Sequence, residues 1–317
     1  MKKIFALYIA LFSCFAAIAQ QEQQYTQFMY NKMDYNPAYA GSNDAVCITG
    51  IYRNQWIGLK GSPKSQLLNF NMPLSHGRVG IGASLTHHNI GIEDRITAQG
   101  SYAYRVPMGR GNLAIGVNAA VRYAAITYDP LALNATQDLG SDPAVTIGKQ
   151  SRVLPNFGAG AYFNTKKFYI GLSLPRLLMN NISFSDKSVG LSKEFRHLYL
   201  MSGAIFPLTE TIKLQPQALL KYVPNAPFSA EMNMSVLFVD RFLVGGTYRT
   251  GGSTKKGLGE SLDVLFGAQI TDNIMLGLSY DLGLSELKTY HNGTLEATLR
   301  YCLQQSEGLE FVNPRYF

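Results

Sequence analysis

The chain has 317 residues, 28 basic side chains against 21 acidic ones, and only 15% charged residues, where soluble domains carry roughly 25%. Its net charge of +7 is spread without a basic block, which excludes a nucleic-acid binder read from charge. No stretch beyond the amino-terminal leader reaches the ~18 apolar residues that a membrane helix needs.

The leader reads MKKIFALYIALFSCFAAIAQ. Lys2 and Lys3 form a basic n-region, Ile4 to Phe15 an apolar h-region, and Ala17-Ile18-Ala19 a small-x-small site. Residues 1–19 are therefore a secretory signal peptide cut between Ala19 and Gln20. Leu11-Phe12-Ser13-Cys14 resembles a lipobox, but Phe12 is bulky for one and the A-x-A site is cleaner. Cleavage removes Lys2 and Lys3, leaving 26 basic against 21 acidic residues, a net of +5. An exported chain with 19 tyrosines, 17 phenylalanines and 30 glycines and no membrane helix suits the bacterial outer membrane.

Residues 20–43 read as a periplasmic amino-terminal segment. Tyr25, Phe28, Met29, Lys32 and Met33 have helix-like spacing over a short window. The spacing is compatible with a plug, a docking element or an extended lead-in to the first strand, and the window leaves all three open.

From 44 to 303 the pattern is strands. Segments of period two fall near 44–54, 63–73, 78–87, 94–107, 112–128, 153–164, 168–175, 195–207, 212–223, 227–239, 242–249, 260–271, 274–282 and 291–302. That makes about fourteen, an even number within the range of bacterial barrels. Joins after even-numbered strands are brief (PLSHGR, PMGRG, NTKK, PLTET, FVDRF, TDN). Joins after odd-numbered strands are mostly longer, YVPNAPF excepted. This alternation predicts an all-β, up-and-down transmembrane barrel with tight periplasmic turns and long outer loops, and Greek-key sandwiches give no reason for it. Both termini then lie in the periplasm, with 304–317 as a carboxy-terminal tail.

The faces agree with that class. Leu113, Ile115, Val117, Ala119, Val121 and Tyr123 alternate with Ala114, Gly116, Asn118, Ala120 and Arg122, and the same holds around Lys213, Lys221, Glu231, Asp263, Glu296 and Arg300. A barrel of this width cannot fill its interior with apolar side chains, since about eight strands already leave only enough room for them. The apolar face is therefore assigned to lipid and the polar face to a wet or plugged lumen. Tyr102, Tyr123, Tyr222, Tyr248, Tyr280 and Tyr301 fall near strand ends on the lipid face, as girdle aromatics do.

Chemistry is sparse. His76, His87, His88, His197 and His291 form no metal-ligand spacing, no serine is singled out by G-x-S-x-G, and no catalytic residue, metal or cofactor is expected. Gly109-Arg110-Gly111-Asn112-Leu113-Ala114 matches G-x-G-x-x-A but bridges two antiparallel strands, so it is a turn. GGSTKKG (251–257) lacks Walker spacing, and Asp129, Asp138 and Asp142 lack calcium-loop spacing. Cys47 and Cys302 lie near the same end of the first and last strands with inward parity. They read either as a disulfide across the barrel seam or as two small buried residues.

The amino-terminal third carries QYTQFMYNKMDYNPAYAGS (24–42), IYRNQWIGLKGSPKSQLLNFNMPL (51–74) and GRVGIGASLTHHNIG (77–91), and the chain closes with NPRYF. These words resemble the PorP/SprF family of type IX secretion system outer-membrane proteins. Asn36-Pro37-Ala38-Tyr39-Ala40-Gly41 matches one motif, and Tyr52, Arg53, Gln55 and Trp56 match a second. The resemblance implies a non-enzymatic barrel of the secretion and gliding apparatus. Its partners would be outer-membrane lipid and either the carboxy-terminal domain of a secreted adhesin or periplasmic secretion lipoproteins. Asn36, Pro37, Tyr39, Gly41, Tyr52, Arg53, Gln55 and Trp56 are the candidate partner-binding positions, with loop packing and interfacial anchoring as the plainer reading. The rival function from a different class is a porin-like diffusion channel. In purely local terms, Pro37 restricts Asn36 to extended backbone, and Gly41 suits a positive-φ turn into the first strand.

Overall fold

A computed structural model describes residues 22–128, 148–182, 194–224, 226–251 and 259–303. Its wall is a closed antiparallel barrel of 14 strands. In chain order these are β1 Val46–Asn54, β2 Lys64–Leu74, β3 Val79–Ile90, β4 Glu93–Met108, β5 Gly111–Tyr128, β6 Gly148–Thr165 and β7 Phe168–Leu174. There follow β8 Leu198–Ala204, β9 Ile212–Tyr222, β10 Ser229–Phe238, β11 Phe242–Arg249, β12 Ser261–Gln269, β13 Ile274–Gly283 and β14 Thr294–Leu303. Each strand pairs with its sequence neighbours. The ring closes where β14 meets β1, from Val46 opposite Leu303 to Asn54 opposite Leu295. Closure leaves no edge strand unpaired, which is how a sheet satisfies its backbone in lipid.

Alternation decides which way each strand faces. Along β5, Ile115, Val117 and Val121 are more than half exposed on the outside, while Ala114, Asn118 and Arg122 are buried inside. Leu85, Val153, Leu172, Leu278 and Leu299 continue the outer apolar surface around the wall. In water such a surface would be untenable, so it is the lipid face. No helix among the described residues is long and apolar enough to cross a membrane.

The short turns (75–78, 109–110, 166–167, 208–211, 239–241 and 270–273) all lie at one end of the barrel. The opposite end carries the longer connections, with two short ones at 91–92 and 223–228. The join expected over HHNIGIED is one of these. β3 and β4 run on through His87, His88 and Asn89, and only Gly91 (φ +58) and Ile92 remain to turn the chain. β6 likewise starts five residues earlier than its apolar pattern, at Gly148. β8, expected as one run, breaks at Ile205 and resumes as Phe206–Pro207 against β9. The leader, the acids Asp129, Asp138 and Asp142, most of GGSTKKG and the tail 304–317 lie outside the described residues.

Cys47 and Cys302 face each other across the β1–β14 seam at its short-turn end. They are disulfide-bonded, with Cα atoms 4.1 Å apart.

Candidate functional site: a strap through the lumen

The barrel interior is occupied by its own amino-terminal segment. Residues 22–45 form a strap of short helical turns, Phe28–Tyr30, Lys32–Tyr35 and Pro37–Tyr39, joined by bends. No turn is long enough to be stable alone; the wall holds them. Tyr25, Phe28, Met33 and Tyr35 pack with the wall's Ile51, Leu67, Tyr162, Tyr169, Tyr199, Leu219, Leu243 and Leu265 in one apolar cluster. The hydrophobic core of this protein is therefore in the lumen, around the strap, and the strap is what lets inward apolar side chains stay dry.

At the long-connection end the strap meets a buried charge network. Arg53, one residue from the end of β1, reaches Asp281 of β13 at 2.6 Å and Glu296 of β14 at 2.9 Å. The same guanidinium donates to Thr26 Oγ1 at 2.8 Å, and that hydroxyl donates to Asp281 at 2.7 Å. The main-chain N–H groups of Thr26 and Gln27 each donate to one Glu296 oxygen, at 3.0 and 2.8 Å. Arg249 closes the ring, lying 3.4 Å from Glu231, 3.6 Å from Asp263 and 3.7 Å from Asp281. All these side chains are nearly inaccessible. Burying ions is costly unless they are paired and hydrogen-bonded, and here strap backbone supplies part of the pairing. A second ionic contact lies at the strap's start. Arg122 grips both oxygens of Glu22 at 3.2 Å each, and Arg176 and Glu194 join the same group.

Midway, Asn31 Oδ1 accepts from Asn69 of β2 at 2.7 Å, and the Tyr35 carbonyl accepts from Ser173 of β7 at 2.7 Å. Lys32 is enclosed between rings, its Nζ 4.2 Å from the Tyr169 centroid and 5.3 Å from that of Tyr39.

The Asn36–Gly41 motif docks near the short-turn end. Asn36 is extended (φ −141, ψ 110), its Oδ1 accepts the Ala38 N–H at 3.0 Å, and Pro37 opens the following turn. This is an N-cap with proline at the first helical position. The other half of the same amide, Nδ2, donates to the Ala161 carbonyl of β6 at 2.9 Å. Gly41 sits at φ +74, its N–H bonded to Asn71 and its carbonyl accepting from Arg105 at 2.7 Å. Arg105 also pairs with Asp44 at 2.6 Å.

Close approach of two backbones makes this docking possible. A Cβ on Gly116 of β5 would lie 2.5 Å from the Ala38 Cα and 2.6 Å from the Pro37 carbonyl carbon. Gly80 meets the Ala40 backbone in the same manner, while Gly82, Gly160 and Gly277 leave room for the side chains of Met33, Asn36 and Gln27. Glycine inside a strand marks where another backbone comes near. The inward parity of Gly116 and Gly277 is a sequence signal for a plug that the alternation alone did not single out.

The candidate positions separate into three places. Asn36, Pro37, Tyr39, Gly41 and Arg53 are inside the barrel, where they fix the strap to the wall. Tyr52 is on the outer wall, 43% exposed. Gln55 and Trp56 belong to the long-connection mouth, where Trp56 holds φ +55, donates its N–H to Thr294 and lies beside His291. Arg53 and Trp56 thus do not form a joint surface. The residues that sequence reasoning did not single out are Glu22, Thr26, Gln27, Arg249 and Asp281, because ionic partners from distant strands leave no local pattern. Among the described residues no three His, Cys, Asp or Glu side chains converge to hold a metal.

A closed wall, apolar outside and carrying a strap inside, defines an integral outer-membrane β-barrel. Among solved structures, the monoaromatic hydrocarbon channel CymD aligns with TM-score 0.53 at 10% identity, covering 88% of this chain and 93% of that one. Outer membrane protein Omp33 of Acinetobacter baumannii aligns with TM-score 0.48 at 8% identity (82% and 98% covered), and a Pseudomonas aeruginosa FadL homologue with 0.43 at 12% (85% and 93%). At such identities the likeness to CymD is one of fold alone. No curated protein sequence matches the chain. The profile of the type IX secretion system membrane protein family PorP/SprF matches residues 17–301, and the chain belongs to that family.

Proposed function

We propose that this barrel serves type IX secretion as a binding component, anchoring or escorting a secreted surface adhesin or tying the machinery to the outer membrane, rather than as a channel or an enzyme. The observation that carries this reading is the strap. It is bound along its length, from Glu22 to Asp44, to the strands around it. A solute path would have to break a buried ionic network and a packed core, each worth several kcal/mol. The long connections face outward and the short turns face the periplasm, as in other bacterial barrels.

Two measurements test this. In planar bilayers the purified barrel gives no stepwise conductance; open-channel steps from the intact protein would return the diffusion-channel reading. In cells, deleting the gene removes one large adhesin from the surface proteome if the barrel is a dedicated partner. It removes all type IX cargo if the barrel is a shared part of the machine. An unchanged surface proteome would refute a secretion role.

A further inference from the structure

The strap has a direction, and the direction places the amino terminus. Glu22, its first described residue, is held by Arg122 and Arg176. Arg122 is six residues from the long-connection end of β5, and Arg176 lies in the connection that follows β7. Thr26 and Gln27 follow at Arg53, Arg249, Asp281 and Glu296, all near the long-connection ends of their strands. Asn36 is lower, against Ala161, and Asp44 is last, bound to Arg105 beside the short turn 109–110. The chain thus descends the whole lumen before β1 climbs back.

We infer that the mature amino terminus opens toward the mouth of the long connections, opposite the periplasmic end where residues 20–43 and both termini were expected. With the leader cut after Ala19, only Gln20 and Gln21 precede Glu22. Two residues reach at most about 7 Å. From Arg122 to Gly111, at the short-turn end, β5 advances eleven steps of ~3.3 Å, about 36 Å along the strand. A strand tilt of ~45° still leaves roughly 25 Å along the barrel axis. Two residues cannot cover that distance, and the lumen below Glu22 is already full. The outward sense of this mouth rests on the orientation given under the proposed function; the sharing of one mouth by the amino terminus and the long connections does not.

Single cysteines labelled with a membrane-impermeant maleimide, in intact cells and after lysis, test the inference. The variants are Gln21→Cys, Tyr290→Cys in the connection between β13 and β14, and Glu210→Cys in the turn between β8 and β9. Both control positions are exposed, and the native pair Cys47–Cys302 is bonded. The expected result is that Q21C and Y290C label in intact cells to within about twofold of each other, while E210C labels only after lysis. Q21C following E210C instead overturns the inference. If the thiol at position 21 reacts poorly, a Gly-Ser extension of about ten residues bearing the cysteine replaces it. Labelling of that extension together with Y290C supports the inference, and labelling together with E210C overturns it. Should Y290C need lysis while E210C does not, the assumed orientation fails. The shared mouth is then still decided by which of the two the amino terminus follows.

Discussion

Substituting Gly116 by alanine will destabilise the barrel through the strap, although the change adds one methyl group to a strand interior. The new Cβ would lie 2.5 Å from the Ala38 Cα and 2.6 Å from the Pro37 carbonyl carbon, where ordinary contact begins at 3.4 Å. The Ala38 N is closer still, so one backbone must retreat by about 1 Å. Neither can do so freely. Gly116 is fixed on both sides by its ladder partners Ala103 and Gly160, and Ala38 is fixed by the Asn36 cap and by the Asn36 bond to Ala161. Squeezing an extra methyl into such a contact costs about 1–3 kcal/mol. Lifting the strap instead forfeits the Asn36 bonds, about 0.5–1.5 kcal/mol each. The two responses cost much the same, so the loss is about 1–3 kcal/mol whichever occurs. At about 2–4 °C per kcal/mol, the midpoint of heat unfolding falls by roughly 2–12 °C. The assay is the temperature at which the compact band of the unboiled barrel is lost in detergent gels. Gly100→Ala is the control, because a Cβ there meets nothing within 4 Å; its effect should stay within about 0.5 kcal/mol. Equal midpoints for the two variants would refute the claim that strap contact, rather than strand propensity, keeps Gly116 a glycine.

Other changes test the remaining contacts. Arg53→Met leaves Glu296 without its buried counter-ion and should cost about 3–5 kcal/mol; combined with Glu296→Gln it should cost clearly less than the sum of the two single changes. Additive losses in the same heat assay would mean that the pair is not coupled. Cys302→Ser should lower stability by about 2–5 kcal/mol. Peptide mapping of the wild type without reductant should recover Cys47 and Cys302 in one cross-linked product, and two free thiols would contradict the seam bond.

The wall was legible in the sequence because lipid enforces the pattern. Where a strand crosses the membrane, every second side chain must be apolar, and β5, β9, β12, β13 and β14 could be read directly from that rule. The pattern fails beyond the lipid. His87, His88 and Asn89 of β3, and Lys149 to Arg152 of β6, carry the ladder on without alternation, so those strands were drawn too short. The strap was the harder case. Its helical turns are three or four residues long, and what holds them is wall side chains from up to 270 residues away in sequence. Periodicity within the segment cannot report such contacts. The motif Asn36–Gly41 was visible, and its local conformation followed from Pro37 and Gly41. That it lies against the barrel's own glycines needed the third dimension.

Strap and seam form one mechanical unit. Arg53 and Glu296 are direct partners across the β1–β14 seam, the last pairing needed to close the ring. Those same two side chains bind Thr26 and Gln27. Without the strap the Arg53–Glu296 pair would face a wet lumen and lose the Thr26 and Gln27 contacts, and without the closed seam the strap would lose that paired site. Strap docking and seam closure therefore stabilise each other, and Cys47–Cys302 joins the other end of the same seam.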